Sequence, residues 1–449
     1  MASEASARAA ARFVEFVNEA VTPFHAVRLM ASKLAAAGYV ELKEADSWPQ
    51  LHQGGKFYVT RNESSIVAFA VGGRYAPGNG IKIVGAHTDS PNFAIKPNSK
   101  LRRNGFAQIG VQTYGGGLWH TWFDRDLTVA GRVLVNIEGK VSSRLVQVPK
   151  PVLRIPNLAI HLTTAKEREQ GFCPNKEDHL TPVSATEGAL GAEVPTPEGQ
   201  CPLLFDLLGK ELGVPAEAIV DFDLSLIDTQ PAAVGGAREE FVFAPRIDNL
   251  LSCHCALDAL LGRGDSLETD EMVRMVACFD HEEVGSSSSP GAGGSLIPDI
   301  VDRLQGPSLD TRSRAVAKSF LLSVDGAHAL HPNYAAKHEQ NHRPMLHRGP
   351  VIKYNANQRY ATSGETAAIV SMIAKRVGVP IQKFCVKNDS PCGSTIGPVM
   401  SSLTGIRGVD VGNAMLSMHS IREMCGTADI QHLADLIAGF FEHFGEFNQ

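Results

Sequence analysis

The chain has 449 residues, longer than one ordinary hydrophobic core, which calls for two domains or one large α/β domain with an insertion. Hydrophobic residues make up 43% and charged residues 20%, an ordinary globular balance, and a formal charge of −6 argues against nucleic acid as a partner. No apolar run is long enough to span a bilayer, so no membrane partner is expected.

The first stretch, MASEASARAAARFVEFVNEA, carries Glu4 and Glu15 and lacks the apolar core of a signal peptide. Its Ala- and Arg-rich texture leaves a transit peptide as the alternative. Eight cysteines without framework spacing suit free thiols in a reducing compartment, so the expected location is the cytoplasm. From Arg8 to Gly38 apolar residues recur at helical spacing, and Pro23 splits the run into two helices. KFYVTRNESSIVAFAVGG reads as two strands joined by a polar turn at Asn62–Ser65. GIKIVGAHTDSP is a short apolar strand that delivers His87 and Asp89 at its end.

After Pro91 the texture changes. GFAQIGVQTYGGGLWHTWFDRDLTVAGRVLVN alternates apolar and polar residues with many glycines, as antiparallel β structure does. ATEGALGAEVPTPEGQ, around 184–199, reads as a loop. PLLFDLLGKELG follows as an amphipathic helix and DFDLSLID as a strand. Beyond Gly235–Gly236, helices and strands alternate again: LLSCHCALDALLG, MVRMVACFD, KSFLLSVD, AAIVSMIAKRVG, IQKFCV, GIRGVDVG and the final helix DIQHLADLIAGFFEHF. That alternation implies an α/β fold, a mostly parallel sheet covered by helices on both faces. The domain at 1–91 and 239–449 is then interrupted by a β-rich insertion over 92–238.

In open α/β sheets the site lies at the carboxyl ends of the strands. This sequence places His87 and Asp89 there, Glu282 and Glu283 after MVACFD, and Asp325 after SFLLSV. His419 follows VDVGNAMLSM, and Asp248 precedes a helix. Each has an ordinary reading taken alone: Asp248 as a helix cap, Asp325–Gly326 as a turn, His419–Ser420 as a surface pair. Together, imidazoles and carboxylates without thiolates suit Zn²⁺, with Mn²⁺ or Co²⁺ as substitutes. Two histidines and three or more carboxylates exceed the needs of one ion and suit two, held about 3.5–4 Å apart. Asp89, two residues after His87, is placed to orient its imidazole. Of the adjacent Glu282 and Glu283, one can bind metal while the other reaches a water.

Cys253–Cys255 in CHC falls inside an apolar helical pattern and reads as structural. Gly115–Gly117 lacks the Lys-Ser/Thr and helix start of a phosphate loop. SSSSPGAGG, after the glutamates, is a flexible loop near the site. His328, His331, His338, His342 and His347 crowd one region and, without further context, would be tested as metal ligands.

Several blocks, in order, resemble one family: GAHTDSP, FAPRIDNL, DHEEVGS, SVDGAHALHPNY, NHRPMLHRGPVIKYNANQRYA, NDSPCGSTIGP and SMHSIREM, with TYGGGLWHTWFDRDLTVAGRV and RIPNLAIHL inside the insertion. They resemble the aspartyl aminopeptidases, the M18 family of dinuclear zinc metallopeptidases. The resemblance implies a di-zinc exopeptidase fold with an inserted dimerisation domain, assembled from dimers into a tetrahedral dodecamer. It implies cleavage of N-terminal Asp or Glu from peptide substrates. His87 and Asp325 would hold one zinc, Glu283 and His419 the other, and Asp248 would bridge them. Asp89 would support His87, and Glu282 would be the general base, taking a proton from a metal-activated water and passing it to the leaving amine. Lys353 would meet the substrate's acidic side chain, with Tyr360 and Gly393 lining the same pocket. His161, read from sequence alone as the end of an apolar strand, would reach a neighbouring subunit's site and steady the oxyanion. The same context makes the His328–His347 group structural or assembly contacts. The rival readings are a di-zinc exopeptidase of neutral specificity, a deacylase of the same architecture, and a catalytically silent metal-stabilised scaffold.

Overall fold

In the strand Val273–Phe279, Val276 and Cys278 pack into one apolar cluster, while Val273, Met275, Ala277 and Phe279 pack into another. A strand buried on both faces has a continuous apolar run because period-two alternation sends every side chain into some core. The computed structural model describes residues 4–49, 51–190, 194–262 and 265–448. Two units emerge from it: Met1–Asp89, Ala232–Met418 and Glu423–Gln449 form the first, and Ser90–Pro231 with His419–Arg422 the second.

The first unit is built on a nine-stranded sheet, in the order 40–41, 56–61, 65–71, 273–279, 81–87, 320–324, 408–412, 351–354, 382–385. The central strands Val273–Phe279, Ile81–His87, Phe320–Val324 and Gly408–Gly412 run parallel. Antiparallel pairs join Lys56–Arg61 to Ser65–Val71, Ser65–Val71 to Val273–Phe279, and Val351–Tyr354 to Gly408–Gly412. Helices cover both faces. Glu4–Glu19, Pro23–Ala36, Ile247–Leu261, Gly364–Val377 and Thr427–Phe447 close one core, and Leu296–Gln305 and Ile396–Thr404 the other. Pro23 starts the second helix, where its missing N–H costs nothing. In the last helix Ile430, Leu433, Leu436, Ile437, Phe440, Phe441 and Phe444 are buried, the i, i+3, i+4 spacing of an inward face.

Register then sets the site. His87 pairs with Phe279, and Gly85 with Ser323, so Asp325 falls level with His87 and the Asp280–Glu283 turn leaves beside both. Parallel strands point their carboxyl ends one way, so these polar residues collect on one edge. The unit also holds a five-stranded sheet, in the order 233–235, 241–244, 423–426, 414–416, 327–328. The sequence reading did not anticipate it. Strands of two to four residues are too short to show a period.

The second unit carries a six-stranded antiparallel sheet, in the order 140–147, 127–137, 219–228, 92–103, 106–114, 183–186. Leu127, Val129, Val133 and Val135 alternate into its core with Phe93, Trp119, Trp122, Phe205 and Leu224. Phe93 lies 4.8 Å from the Trp119 ring and 5.0 Å from that of Trp122, centroid to centroid. Gly131 has φ of 152°, and a Cβ there would lie 2.0 Å from the Asp223 carbonyl oxygen, so only glycine fits this crossing. The helix Pro202–Leu212 ends at Gly213 in the left-handed conformation.

The loop expected over 184–199 is partly regular. Val183–Thr186 joins the sheet edge beside Phe106–Gln108, and Glu187–Ala189 makes a 3-10 turn. Residues 191–193 of that stretch lie outside the described residues. Among the described residues, no helix is long and apolar enough to cross a membrane.

Candidate metal centre

His87 is the last residue of its strand and is 1% exposed. Its Nε2 lies 3.4 Å from Asp248 Oδ1, 3.8 Å from Glu282 Oε2 and 4.0 Å from Asp325 Oδ1. Its Nδ1 lies 3.3 Å from Asp89 Oδ1 and 3.1 Å from the Asp89 carbonyl oxygen. Asp89 has a second task, for its two carboxylate oxygens accept the backbone N–H groups of Glu282 (3.1 Å) and Glu283 (3.0 Å). One buried carboxylate thus fixes both the imidazole and the turn that presents the two glutamates. That turn is a 3-10 helix, Glu282–Val284, flanked by His281 and Gly285 at positive φ.

Asp248 opens the helix Ile247–Leu261 but is itself non-helical, with φ −81° and ψ 104°. Its N–H donates to Glu423 Oε2 at 3.0 Å, and the next side chain, Asn249, donates to the Val324 carbonyl at 2.8 Å. Asp325, one residue beyond Val324, faces Lys353 Nζ at 4.0 Å. Lys353 is 3% exposed, donates to the Gly326 carbonyl at 3.0 Å and sits 5.0 Å above the Tyr360 ring. The strand Val351–Tyr354 therefore delivers a buried ammonium beside the carboxylates. Tyr360 is buried, whereas Gly393 is exposed, with nothing within 4 Å of a Cβ built there.

Two further expected residues lie in the second unit. His419, at φ of 66°, rests its Nδ1 3.0 Å from the Gly116 carbonyl oxygen, and its own carbonyl accepts the Leu118 N–H at 2.9 Å. His161 is exposed in the 3-10 turn Ile160–Leu162, so it does not end a strand as the apolar run suggested. Leu158, Ile160 and Leu162 are more than half exposed around it, which is why apolarity there did not mean a core strand.

Electrostatically the cluster is crowded with acid. Burial alone would lower the His87 pKa, but the carboxylates of Glu282, Asp248 and Asp89 hold it well above its ordinary value. Burial, reinforced by Asp325, Glu283 and Asp248 against the pull of His87, pushes Glu282 up to about 8. Burial likewise pushes Asp325 up to about 7, with Lys353 and His87 opposing. Asp280, behind them, is pushed up to about 6 by burial and by Asp89. Divalent cations keep such a cluster ionised. The donor set fits them: ligand atoms of His87, Asp248 and Asp325 lie within 4.8 Å of one another, as do those of His87, Glu282 and Glu283. Imidazole and carboxylate without thiolate are donors that zinc accepts. Cys253, in the CHC stretch, is buried and directs its Sγ at the His87 carbonyl 3.0 Å away, a packing role consistent with the helical reading.

Sequence reasoning missed Glu423, Asn249 and Asp280, which hold the ligand-bearing backbone. Glu423 sits four residues after His419, and nothing local marks it as the partner of Asp248.

Fold and donor set together define a metal-dependent hydrolase of the α/β exopeptidase type. The chain belongs to the M18 family, described as aminopeptidase I zinc metalloprotease, which matches residues 16–441. It is a zinc aminopeptidase. The aspartyl aminopeptidase of Dictyostelium discoideum is 48% identical over 97% of this chain and 96% of its own length. The cryo-EM structure of the Ape4 and Nbr1 complex superposes with a TM-score of 0.95 at 43% identity, covering 99% of this chain and 87% of that one. The S. cerevisiae mApe1 dodecamer superposes with a TM-score of 0.86 at 31% identity, covering 98% and 97%.

Proposed function

We propose that this enzyme removes N-terminal aspartate and glutamate from peptides. The observation that carries the acidic preference is Lys353, an ammonium buried 4.0 Å from Asp325 at the edge of the metal cluster. A lysine buried there can pair with a substrate carboxylate more strongly than a surface lysine could. Relatives named aspartyl aminopeptidase support the same reading.

In this reading His87 and Asp325 would hold one zinc and Glu283 and His419 the other, and Asp248 would serve both. When bound, two zinc ions supply positive charge that activates water and polarises the scissile carbonyl. Asp89 keeps the His87 imidazole oriented. Glu282 takes the proton of the attacking water and returns it to the leaving amine, a task that suits a carboxyl whose pKa burial raises. Tyr360 and the loop carrying Gly393 line the acidic-side-chain pocket. The enzyme acts as a homo-oligomer, a tetrahedral dodecamer built from dimers, in which His161 enters a neighbouring subunit's site and donates to the oxyanion. A relative solved as a dodecamer supports the assembly.

A fluorogenic panel of Asp, Glu, Ala, Leu and N-acetyl-Asp substrates tests the specificity. Asp and Glu should be cleaved at least about 30-fold faster than Ala or Leu, the lower end of what one buried ion pair contributes. N-acetyl-Asp should resist. Equal cleavage of Leu and Asp, or hydrolysis of the acetylated substrate, would point to the neutral exopeptidase or the deacylase instead.

A further inference from the structure

Asp410 lies in the strand Gly408–Gly412 and is 0% exposed. Its Oδ1 accepts the hydroxyls of Ser323 at 2.7 Å and Thr395 at 2.6 Å, and its Oδ2 accepts the Ala361 N–H at 2.6 Å. Its own N–H donates to Thr362 Oγ1 at 3.0 Å. Among the described residues, these partners are all hydroxyls or backbone N–H groups. A carboxylate buried without a cation is costly, and its hydrogen bonds must offset that cost.

The partners fall on three segments. Ser323 is the penultimate residue of the strand Phe320–Val324, which leads to Asp325. Ala361 and Thr362 follow Tyr360, whose ring lies under Lys353. Thr395 comes two residues after Gly393 and caps the helix Ile396–Thr404. A further bond, Ser394 Oγ to the Arg359 carbonyl at 3.1 Å, ties the last two segments together. Gly397 closes the cradle: a Cβ there would lie 2.4 Å from Asp410 Oδ2, so the helix start approaches the carboxylate as no other residue would allow.

We propose that Asp410 is the positioning residue of the acid-selecting pocket. It locks the Tyr360 loop and the Gly393 loop to the Asp325 strand, and so keeps Lys353 aimed at a substrate carboxylate. The inference rests on Lys353 being the acid-reading group, and the test separates the two. An asparagine at 410 can keep the lock: its amide oxygen accepts the Ala361 N–H while its NH₂ donates to the Ser323 and Thr395 oxygens, since hydroxyls can reverse. Alanine cannot.

The zinc-loaded full chain and the variants Lys353→Met, Asp410→Ala, Asp410→Asn and Thr395→Val are assayed on Asp and Ala substrates, with zinc content measured. For Asp410→Ala, KM on the Asp substrate should rise roughly tenfold or more, the scale of a lost charged hydrogen bond. Its kcat should fall less, zinc should stay bound, and the Asp-to-Ala ratio of kcat/KM should drop. Asp410→Asn should restore most of that ratio. If Asp410→Ala does not fold, Thr395→Val, which removes one tether, should show a smaller drop of the same kind. Equal loss on both substrates, or an unchanged ratio while Lys353→Met collapses it, overturns the role of Asp410. If Lys353→Met leaves the ratio intact, the reading of Lys353 itself is wrong and this inference falls with it.

Discussion

Replacing Lys353 with methionine removes one charge and keeps most of the stem that packs in the core. The lysine is 3% exposed, and its ammonium touches the Gly326 carbonyl, faces Asp325 and covers Tyr360. A carboxylate arriving there meets a buried cation, and truncating one partner of such a pair costs about 2–5 kcal/mol. At about 1.4 kcal/mol per decade, kcat/KM on an Asp substrate should fall roughly 30- to 4000-fold. Cleavage of an Ala substrate makes no use of the charge and should change far less. Lys353 also restrains the upward shift of Asp325, so zinc content has to be measured beside the kinetics to separate a metal defect from a selectivity defect. Steady-state kinetics on Asp, Glu and Ala substrates reads the outcome. A loss of equal size on all three, with zinc retained, would mean that Lys353 supports catalysis or folding in general and does not select.

Glu282→Gln keeps shape and the backbone bond to Asp89, so both zincs should stay while kcat falls roughly 10²–10⁴-fold; Glu283→Gln should instead release metal, and equal metal loss in the two variants refutes the division of labour. Chelation should lower the thermal midpoint, because Asp248, Asp325, Glu282 and Glu283 would face one another without cations, and added zinc should restore it; an unchanged midpoint would place the metal elsewhere. Burial depresses the His254 pKa to about 4 between Phe13 and Phe16, so its contribution to stability is complete above about pH 6.5 and is lost as pH falls toward 4. His254→Leu should therefore flatten the acid limb of stability by up to about 3 kcal/mol in denaturant titrations, leaving the same-signed slope of His25; an unaltered limb refutes the assignment. His161→Ala and Glu282→Gln chains, each nearly inactive, should regain activity when co-assembled through two affinity tags, and hybrids as inactive as their parents would end the shared-site reading.

The sequence by itself determined the elements and where chemistry leaves them. MVACF, IVGA and FLL are apolar at every position because both faces of their strands are covered, and such runs are visible without a structure. The acids and histidine that follow them can only sit at the strands' carboxyl ends, so His87, Glu282, Glu283 and Asp325 were legible as a group. Asp89 was legible too, two residues from the imidazole it orients. Tertiary structure alone decided which strands are neighbours, and therefore that Phe279 pairs with His87 and that Asp325 comes level with it. It decided that Glu423 holds Asp248 and that Asp410 gathers Ser323, Ala361 and Thr395, partners up to 87 positions away. It also set His161 on an exposed 3-10 turn in place of a strand end, and folded five very short segments into a sheet. The division has one physical cause. Periodicity reports whether a side chain is buried, a local property that repeats every two or 3.6 residues. A buried polar contact depends on what the chain brings back from far away, and no local period records it.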